Sequence, residues 1–320
     1  MTVRVGFVGC GALANRMHYP SLAELPEAEL VALCDLDPAK LQATGDRYGV
    51  AARYRDHREM LATERLDAVY VVMPPTADLV PIVLDCLRAG KHVFMEKPPG
   101  AALADCERML DAAERAGVKT QVGFNRRFAD VLVEARRAVG AQGKVAQVVG
   151  EFHKNMLRTG PYYGLSILTT DVIHTIDTLR WLAGEPVEVQ SMHDRFGADW
   201  PNVHAALIRF DSGAVGVLLA NRAAGSRYER FELHGPGISA YVRAPERAEL
   251  FRDGEAEPTV LNGSSDDPRI SYGYLAESRH FLDCIQRDRL PQTSLQDAVK
   301  TFRLVEQLNR AAERVPTLSS

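Results

Sequence analysis

The first part of the chain alternates short apolar runs with stretches of helical periodicity. The runs predict six β-strands: VRVGFVG, ELVALCD, ARY, LDAVYVVM, KHVFMEK and VKTQVGF. Such nearly continuous apolar strands are typical of a parallel sheet that is covered on both faces. Helices are predicted between them near residues 12–25, 38–48, 56–63, 77–89 and 102–116. This alternation indicates βαβ units, and therefore an α/β domain over residues 1–122.

The pattern changes after about residue 143. A helix predicted near 166–183 is followed by alternating strands, VHAALIRF, AVGVLLANR, RFELHG, ISAYVR and RAELFRDG. The turn DSG joins the first two, as expected for antiparallel neighbours. Two helices are predicted near 272–288 and 294–313. Residues 123–320 are therefore predicted to form a second, α+β domain with a large, open, mainly antiparallel sheet.

Composition narrows the class of protein. A length of 320 residues suits two domains, and 46% hydrophobic with 25% charged residues is typical of a soluble globular protein. A net charge of −4 argues against nucleic acid as a partner. The sequence shows neither a signal peptide nor an apolar stretch of ~20 residues, so we expect no membrane partner and a cytoplasmic location. The five scattered cysteines favour reduced thiols.

A glycine turn follows the first predicted strand. It reads Gly9-x-Gly11-x-x-Ala14, a helix is predicted after it, and the second strand ends in Asp35. Together these features predict a Rossmann domain that binds a dinucleotide. The glycines let the pyrophosphate approach the backbone, and Asp35 is predicted to bind the adenosine ribose. The same turn supplies the other predicted cofactor contacts, Cys10, Ala12 and Leu13.

The acidic residue also bears on which nicotinamide cofactor binds. Asp35 is followed by Leu36 and Asp37, so this segment offers no arginine to bind a 2′-phosphate. Its two carboxylates would repel such a phosphate. NAD is therefore predicted in preference to NADP. Lys40 lies close by in sequence and keeps NADP open.

The segment AGKHVFMEKPPG, residues 89–100, completes a recognisable set of motifs. With the glycine turn and the later TTDVIHTIDTLRWLAG, it resembles the Gfo/Idh/MocA oxidoreductase family. The resemblance extends over essentially the whole chain. It implies an NAD(P)-dependent dehydrogenase or reductase acting on a sugar, polyol or related alcohol or ketone. It also implies a homodimer or homotetramer formed through the second domain's sheet.

The resemblance assigns roles to residues at two strand ends. Lys97 matches the family's active-site lysine beside the nicotinamide, and Glu96 matches the family's glutamate. Both are predicted to contact the cofactor. Pro98 matches the proline that fixes the following turn, often with a cis bond. Met73 and Pro74, after the fourth strand, are predicted to contact the cofactor. The family's usual histidine in this segment is replaced here by Leu79.

A second predicted constellation lies in the second domain. His174 matches the family's catalytic histidine, and a neutral imidazole can take a proton from a hydroxyl as hydride leaves the same carbon. Asp171 lies three positions earlier, which places both side chains on one face if the segment is helical. The family's aspartate usually lies four positions before the histidine, where this chain has Thr170. Asp171 is predicted to orient the imidazole or stabilise its charged form.

Two further residues are predicted to bind substrate. Arg127 lies in GFNRRF, residues 123–128, which keeps the family pattern. Asn155 lies in EFHKNMLRTGPYYG, residues 151–164, where His153, Lys154 and Tyr162 add polar groups suited to a polyhydroxylated ligand. The histidines show no metal-ligand spacing, and no metal is predicted.

Three other functions stay open on this sequence. One is a glycoside hydrolase that works by transient oxidation with tightly held NAD. Another is a catalytically silent sensor that binds NAD. Amide or imine reduction remains open within the oxidoreductase class.

Overall fold

The computed structural model describes residues 2–313, which form two compact units. Among the described residues, the first unit combines 2–125 with 268–299, and the second combines 126–267 with 300–313. The strands are β1 Val3–Val8, β2 Ala28–Cys34, β3 Ala52–Tyr54, β4 Ala68–Val71, β5 His92–Met95, β6 Thr120–Val122, β7 Gln147–Asn155, β8 Pro186–Asp194, β9 Val203–Phe210, β10 Val215–Asn221, β11 Ala223–Gly235, β12 Ile238–Arg243, β13 Arg247–Arg252 and β14 Thr259–Asn262.

The helices lie between and after these strands. They are α1 Tyr19–Glu24, α2 Pro38–Tyr48, α3 His57–Thr63, α4 Leu79–Arg88, α5 Leu103–Ala116, α6 Asp130–Gln142, α7 Ile167–Thr170, α8 Ile173–Ala183, α9 Pro268–Ser271, α10 Tyr274–Gln286 and α11 Leu295–Glu313. A π-helical turn, Ala14–His18, leads into α1. No helix within residues 2–313 is long and apolar enough to cross a lipid bilayer.

The first unit is built on a six-stranded parallel sheet in the order β3-β2-β1-β4-β5-β6. The strand order reverses between β1 and β4, and in such sheets ligands bind outside the carboxyl ends of the strands at this switch point. A stack of buried rings supports the sheet, with Phe7 4.0 Å from Tyr19 and Tyr70 4.5 Å from Phe94, measured between centroids. The glycine turn therefore follows a strand, β1, whose side chains pack into this buried aromatic core.

The second unit is built on an eight-stranded sheet in the order β14-β13-β12-β11-β7-β10-β9-β8. Only the pair β7 and β10 is parallel among these strands. Helices α6 and α8 pack on one face, and we call the opposite face the outer face. Buried and more exposed residues alternate along β9 and β10, as expected for a sheet that helices cover on one side. The predicted fold class, a Rossmann domain followed by an α+β domain, is confirmed.

Several elements differ from the sequence predictions. The predicted second domain began at residue 123 and ran to the end, whereas the first unit extends to Asn125 and also includes α9 and α10. The predicted helix over 166–183 is two helices, because the backbone leaves helical geometry at Asp171. Helix α6 and strands β7, β8 and β14 were not predicted.

Candidate cofactor and substrate sites

The glycine turn has the geometry that a phosphate-binding turn requires. Gly9 has φ +107°, and a Cβ there would overlap the carbonyl oxygen of Val72 at the end of the neighbouring strand. A Cβ on Gly11 would meet nothing within 4 Å, so the backbone is open to a ligand at this position. The Asn15 amide donates to the carbonyl oxygens of Cys10 and Gly11 at 2.9 and 3.2 Å, which ties the turn to the following helical segment.

Asp35 lies directly after β2 and is bonded to the glycine turn. One carboxylate oxygen accepts from the backbone N–H of Cys10 at 2.6 Å, and the other accepts from that of Asp37 at 2.8 Å. A carboxylate has about four lone-pair positions, so it can accept further bonds from ribose hydroxyls. The turn and Asp35 therefore fit a dinucleotide, with the open face of Gly11 as the cradle.

The remaining predicted residues of the turn differ in burial. The Cys10 thiol is buried, lies 3.5 Å from the Tyr19 hydroxyl, and has its pKa raised by burial. This thiol faces the core, so only the backbone of Cys10 faces the turn. Ala12 is exposed and Leu13 is half-buried.

Met73 and Pro74 follow β4, which borders β1 at the switch point of the sheet. Met73 is half-buried and Pro74 is exposed. Leu79, which replaces the family's histidine, is buried as the first residue of α4. The apolar side chain at this position therefore contributes to the core. Contacts of Met73 and Pro74 with a cofactor stay predictions.

Lys97 follows β5 with one intervening residue, Glu96. The Glu96 carboxylate is buried, lies 2.8 Å from Nε2 of His18, and accepts from the backbone N–H of Lys97 at 3.0 Å. Gly123 leaves room for it, since a Cβ there would lie 3.1 Å from the carboxylate. Glu96 thus fixes the backbone at Lys97 from inside the sheet, and its predicted contact with the cofactor stays a prediction. The peptide between Lys97 and Pro98 is cis.

In the second unit, Asp171 occupies the break between α7 and α8. Its φ and ψ are −125° and −49°, and its carboxylate lies 2.8 Å from Nε of Arg222. Lys154 approaches the other carboxylate oxygen to 3.8 Å. His174 is buried in the first turn of α8, and its carbonyl accepts from Thr178. The spacing argument assumed that Asp171 and His174 share one continuous helix. They do not, because Asp171 lies in the break between α7 and α8.

Arg127 is engaged by a buried carboxylate. Its Nε and Nη2 donate to the two oxygens of Asp177 on α8 at 2.7 and 2.6 Å, and Thr301 donates to one of them at 2.8 Å. The guanidinium is only 4% exposed. This geometry gives Arg127 a structural task in joining the start of the second unit to α8. Its predicted contact with substrate stays a prediction.

The predicted polar segment 151–164 lies at the end of β7 and beyond it. The Asn155 side chain is exposed and accepts from the backbone N–H of Leu157 at 3.3 Å, which shapes the following turn. The Lys154 amine donates to the Tyr162 hydroxyl at 2.7 Å. Among residues 2–313, no group of histidine, cysteine, aspartate and glutamate side chains is arranged to hold a metal ion.

Sequence reasoning missed three residues that organise these sites: His18, Asn15 and Arg222. Nothing local marks His18, because its partner Glu96 lies 78 positions away. Asn15 lies only four and five positions after the carbonyl groups it binds, so its place in the turn was a local signal. Arg222 carried a signal, since it continues the buried register of Gly216, Leu218 and Ala220 on β10. A charged residue in a buried register is seldom without a paired role.

Comparison with known proteins finds a matching family model for a region of each unit. Residues 3–124 match the profile described as oxidoreductase family, NAD-binding Rossmann fold, and residues 132–240 match the GFO/IDH/MocA C-terminal domain. D-apiose dehydrogenase from Paraburkholderia graminis is 30% identical over 93% of this chain and 84% of its own. Myo-inositol 2-dehydrogenase from Thermotoga maritima is 28% identical over 92% of each chain. The crystal structure of a dehydrogenase from Chromobacterium violaceum aligns with a TM-score of 0.90 and 26% identity, over 98% of this chain and 96% of that one.

Proposed function

Because the chain belongs to the Gfo/Idh/MocA oxidoreductase family, we propose that it transfers hydride between a nicotinamide cofactor and a sugar or polyol. The observation that carries the proposal is the glycine turn with Asp35 bonded to it, on the same sheet edge as Lys97. The two curated relatives named above are dehydrogenases of apiose and inositol, which supports a polyhydroxylated substrate.

The first unit holds the cofactor in this proposal. The backbone N–H groups around Gly11 bind the pyrophosphate, and Asp35 accepts hydrogen bonds from the ribose. When bound, the nicotinamide supplies the hydride acceptor or donor. Met73, Pro74, Ala12 and Leu13 line the same switch point.

Lys97 and His174 handle the proton. Loss of hydride from a carbinol carbon requires loss of the hydroxyl proton, which a positioned amine or imidazole accepts. Glu96 holds the backbone of Lys97 in place, and Arg222 keeps an opposite charge beside Asp171. Asp171 is proposed to orient the His174 imidazole or to stabilise its charged form.

We propose NAD as the preferred cofactor over NADP. Asp35 is held beside the turn by two backbone donors, and the exposed Asp37 accepts from Ala39 and Lys40 at the start of α2. Lys40 lies 3.1 Å from Asp37, so its charge is largely compensated. A 2′-phosphate would therefore meet negative charge.

We also propose a homodimer or homotetramer formed through the outer face of the second sheet. Met192, Leu207 and Val215 on this face are 57%, 52% and 40% exposed. Met192 and Leu207 line a hollow of about 530 Å³ together with other residues of β8, β9 and β10 and Ala311 of α11. A contiguous apolar patch of this kind typically marks an interface. Replacing Leu207 with Glu should dissociate the assembly in sedimentation, while the matched exposed Leu290→Glu should not.

The cysteines support the proposed cytoplasmic location. All five are buried and lie outside disulfide bonds, which suits a reducing compartment.

The decisive experiment measures NADH or NADPH absorbance with purified protein and a panel of sugars, inositols and sugar acids. Turnover should be observed, and Lys97→Ala should lower kcat/KM by about 10²- to 10⁴-fold while NAD affinity changes little, because a proton-transfer group is lost. The exposed Lys144→Ala is the control and should keep wild-type turnover. Full activity of Lys97→Ala would contradict the assignment.

Two alternatives give different results in the same assay. A glycoside hydrolase with retained NAD would cleave glycosides without net NADH production. A silent sensor would bind NAD with no turnover, and its affinity for a sugar would not depend on Lys97.

A further inference from the structure

A buried histidine of the first unit, His18, contacts the residue that precedes the candidate catalytic lysine. Its side chain is fully buried, and its Nε2 lies 2.8 Å from Oε1 of Glu96. The other oxygen of this carboxylate, Oε2, accepts from the backbone N–H of Lys97 at 3.0 Å. One buried carboxylate therefore bridges the imidazole of His18 and the backbone of Lys97.

The helical segment after the glycine turn brings the histidine to this place. His18 ends the π-helical turn Ala14–His18, which begins three positions after Gly11. At the end of this turn, the N–H of Tyr19 donates to the carbonyl oxygen of Ala14, five positions earlier. Such turns are rare and are frequently found at functional sites. The segment that is proposed to hold the pyrophosphate at its start therefore carries His18 a few positions further on.

Aromatic rings fix the orientation of the imidazole. The centroid of the His18 ring lies 5.3, 5.4 and 6.5 Å from those of Phe94, Tyr274 and Tyr70. Such close packing leaves the ring few other orientations. Among the residues that the structure describes, Nδ1 of His18 has no hydrogen-bond partner. Because a carboxylate only accepts hydrogen bonds, Nε2 carries the hydrogen and donates it to Glu96.

The carboxylate transmits position between its two partners. The Glu96 side chain is only 5% exposed, and hydrogen bonds are electrostatically stronger in such surroundings than in water. A Cβ on Gly123 would lie 3.1 Å from the carboxylate carbon, so the backbone there packs closely against it. Since the group is planar and holds one partner on each oxygen, a displacement of His18 turns it and displaces the backbone at Lys97.

We propose that His18 is a positioning residue for Lys97. Acting through Glu96, it ties the helical segment that follows the glycine turn to the backbone of the lysine, and so fixes the lysine relative to the bound nicotinamide. This inference rests on the proposed function, which gives Lys97 its part in proton transfer. A misplacement of about 1 Å at a reacting group can lower the rate about 10²-fold.

The first test replaces the donor and keeps a ring. His18→Phe should lower kcat about 10- to 100-fold, because the lysine loses its alignment. The dissociation constant of NAD should change little, since the glycine turn and Asp35 are intact, and kcat is counted per bound NAD so that misfolded protein does not contribute. A wild-type kcat in His18→Phe would overturn the proposal.

Two further variants separate the hydrogen bond from the volume of the side chain. His18→Gln places an amide nitrogen close to the position of Nε2 and should recover a large part of kcat. His18→Asn places its nitrogen at the position of Nδ1, falls short of Glu96, and should be as slow as His18→Phe. It also serves as the test if the phenylalanine variant does not fold. Equally low kcat in all three variants would contradict a role for the donor.

The matched control is His57→Phe. Nε2 of His57 on α3 lies 3.0 Å from the carboxylate of Asp85 on α4, so the chemistry of the pair is the same, but the pair lies outside the proposed site. This variant should keep the wild-type kcat. A loss equal to that of His18→Phe would contradict the proposal, because any histidine–carboxylate pair of the unit would then have the same effect.

A double variant tests whether His18 acts through Glu96. Glu96→Leu removes both hydrogen bonds and should lower kcat at least as much as His18→Phe. The double variant His18→Phe/Glu96→Leu should be no slower than Glu96→Leu alone, because the contact between the two residues is already gone. Losses that multiply would contradict the proposed route.

A spectroscopic measurement separates this inference from the proposed function. Reductive methylation with ¹³C-formaldehyde labels the lysines, and the signal that Lys97→Arg removes belongs to Lys97. His18→Phe and His18→Asn should move this signal and leave that of the exposed Lys144 unchanged. Such a shift supports the positioning role even if no substrate of the panel is oxidised, an outcome that would count against the dehydrogenase proposal alone. An unmoved Lys97 signal in the folded variants would overturn the inference.

Discussion

In the first unit, Asp35 directly follows a parallel strand and is held by the backbone N–H groups of Cys10 and Asp37. Glu96, which follows another strand, combines a backbone bond from Lys97 with a side-chain contact to His18. In the second unit, Asp177 and Glu229 are held by arginine side chains that lie 50 and 103 positions away in sequence. Groups held by the backbone belong to local motifs, whereas groups held by side chains depend on the tertiary structure. The two units should therefore respond differently to substitution.

The largest effect is expected from breaking a side-chain pair in the second unit. Arg127→Leu leaves Asp177 buried without its bidentate partner, and breaking a buried pair costs about 3–5 kcal/mol of unfolding free energy. Chemical denaturation measures the loss. The control is Arg137→Leu, whose pair with Glu134 is exposed and should cost less than about 1 kcal/mol. A raised KM with unchanged stability would instead make Arg127 a substrate ligand.

The next effect concerns His204 on β9, which is 4% exposed. Burial, with His193 and Arg222 nearby, lowers the pKa of His204 to about 4. The unfolded chain binds this proton with a pKa of about 6.5, so stability is fully present above that pH and falls as pH drops toward 4.

Over that window the loss attributable to His204 is of the order of 3 kcal/mol. Denaturation of the wild type between pH 7 and pH 4 should show it, and His204→Leu should flatten the slope. An equal slope in both proteins would refute this account of acid sensitivity.

A smaller effect is expected from the backbone-held turn of the first unit. Gly9→Ala should cost about 1–3 kcal/mol, because φ is positive and the new methyl group would overlap the Val72 carbonyl. Gly11→Ala, where space is open, should leave the melting temperature nearly unchanged but weaken NAD binding. Comparable destabilisation by both variants would remove the distinction between the two glycines.

The smallest effect is on cofactor choice. Asp35→Asn keeps the shape of the side chain but removes its charge, and should weaken NAD binding about 10-fold, the order of one charge-assisted hydrogen bond. The ratio of NADP to NAD affinity should rise at the same time. Fluorescence titration measures both, with the exposed Asp111→Asn as control. An unchanged ratio would show that Asp35 does not discriminate.

The features that could be predicted from the sequence are those that belong to short local motifs. The glycine turn, Asp35 and the EKP segment were identified from short contiguous motifs, and the family and the fold class are confirmed. Helix α6 was missed although Val131, Leu132, Ala135 and Val139 are spaced for one buried face. This spacing is sufficient to predict a helix.

Other features had no local signal. The break at Asp171 coincides with its ion pair to Arg222, 51 positions later, and the buried contact between His18 and Glu96 spans 78 positions. Periodicity describes only neighbours, so it extended one helix across the break. The assignment of residues 268–299 to the first unit was missed for the same reason, because helical spacing does not say which sheet a helix covers.

That last segment bears on how the protein is made. The polypeptide passes from the first unit to the second after Asn125, returns near Pro268 and leaves again near Val299. During synthesis the Rossmann sheet therefore emerges from the ribosome long before α10, whose Phe281 lies against Tyr70 and Phe94. A recombinant fragment that stops at residue 125 would expose those rings to water, so the nucleotide-binding half needs the later segment supplied in trans or joined by circular permutation.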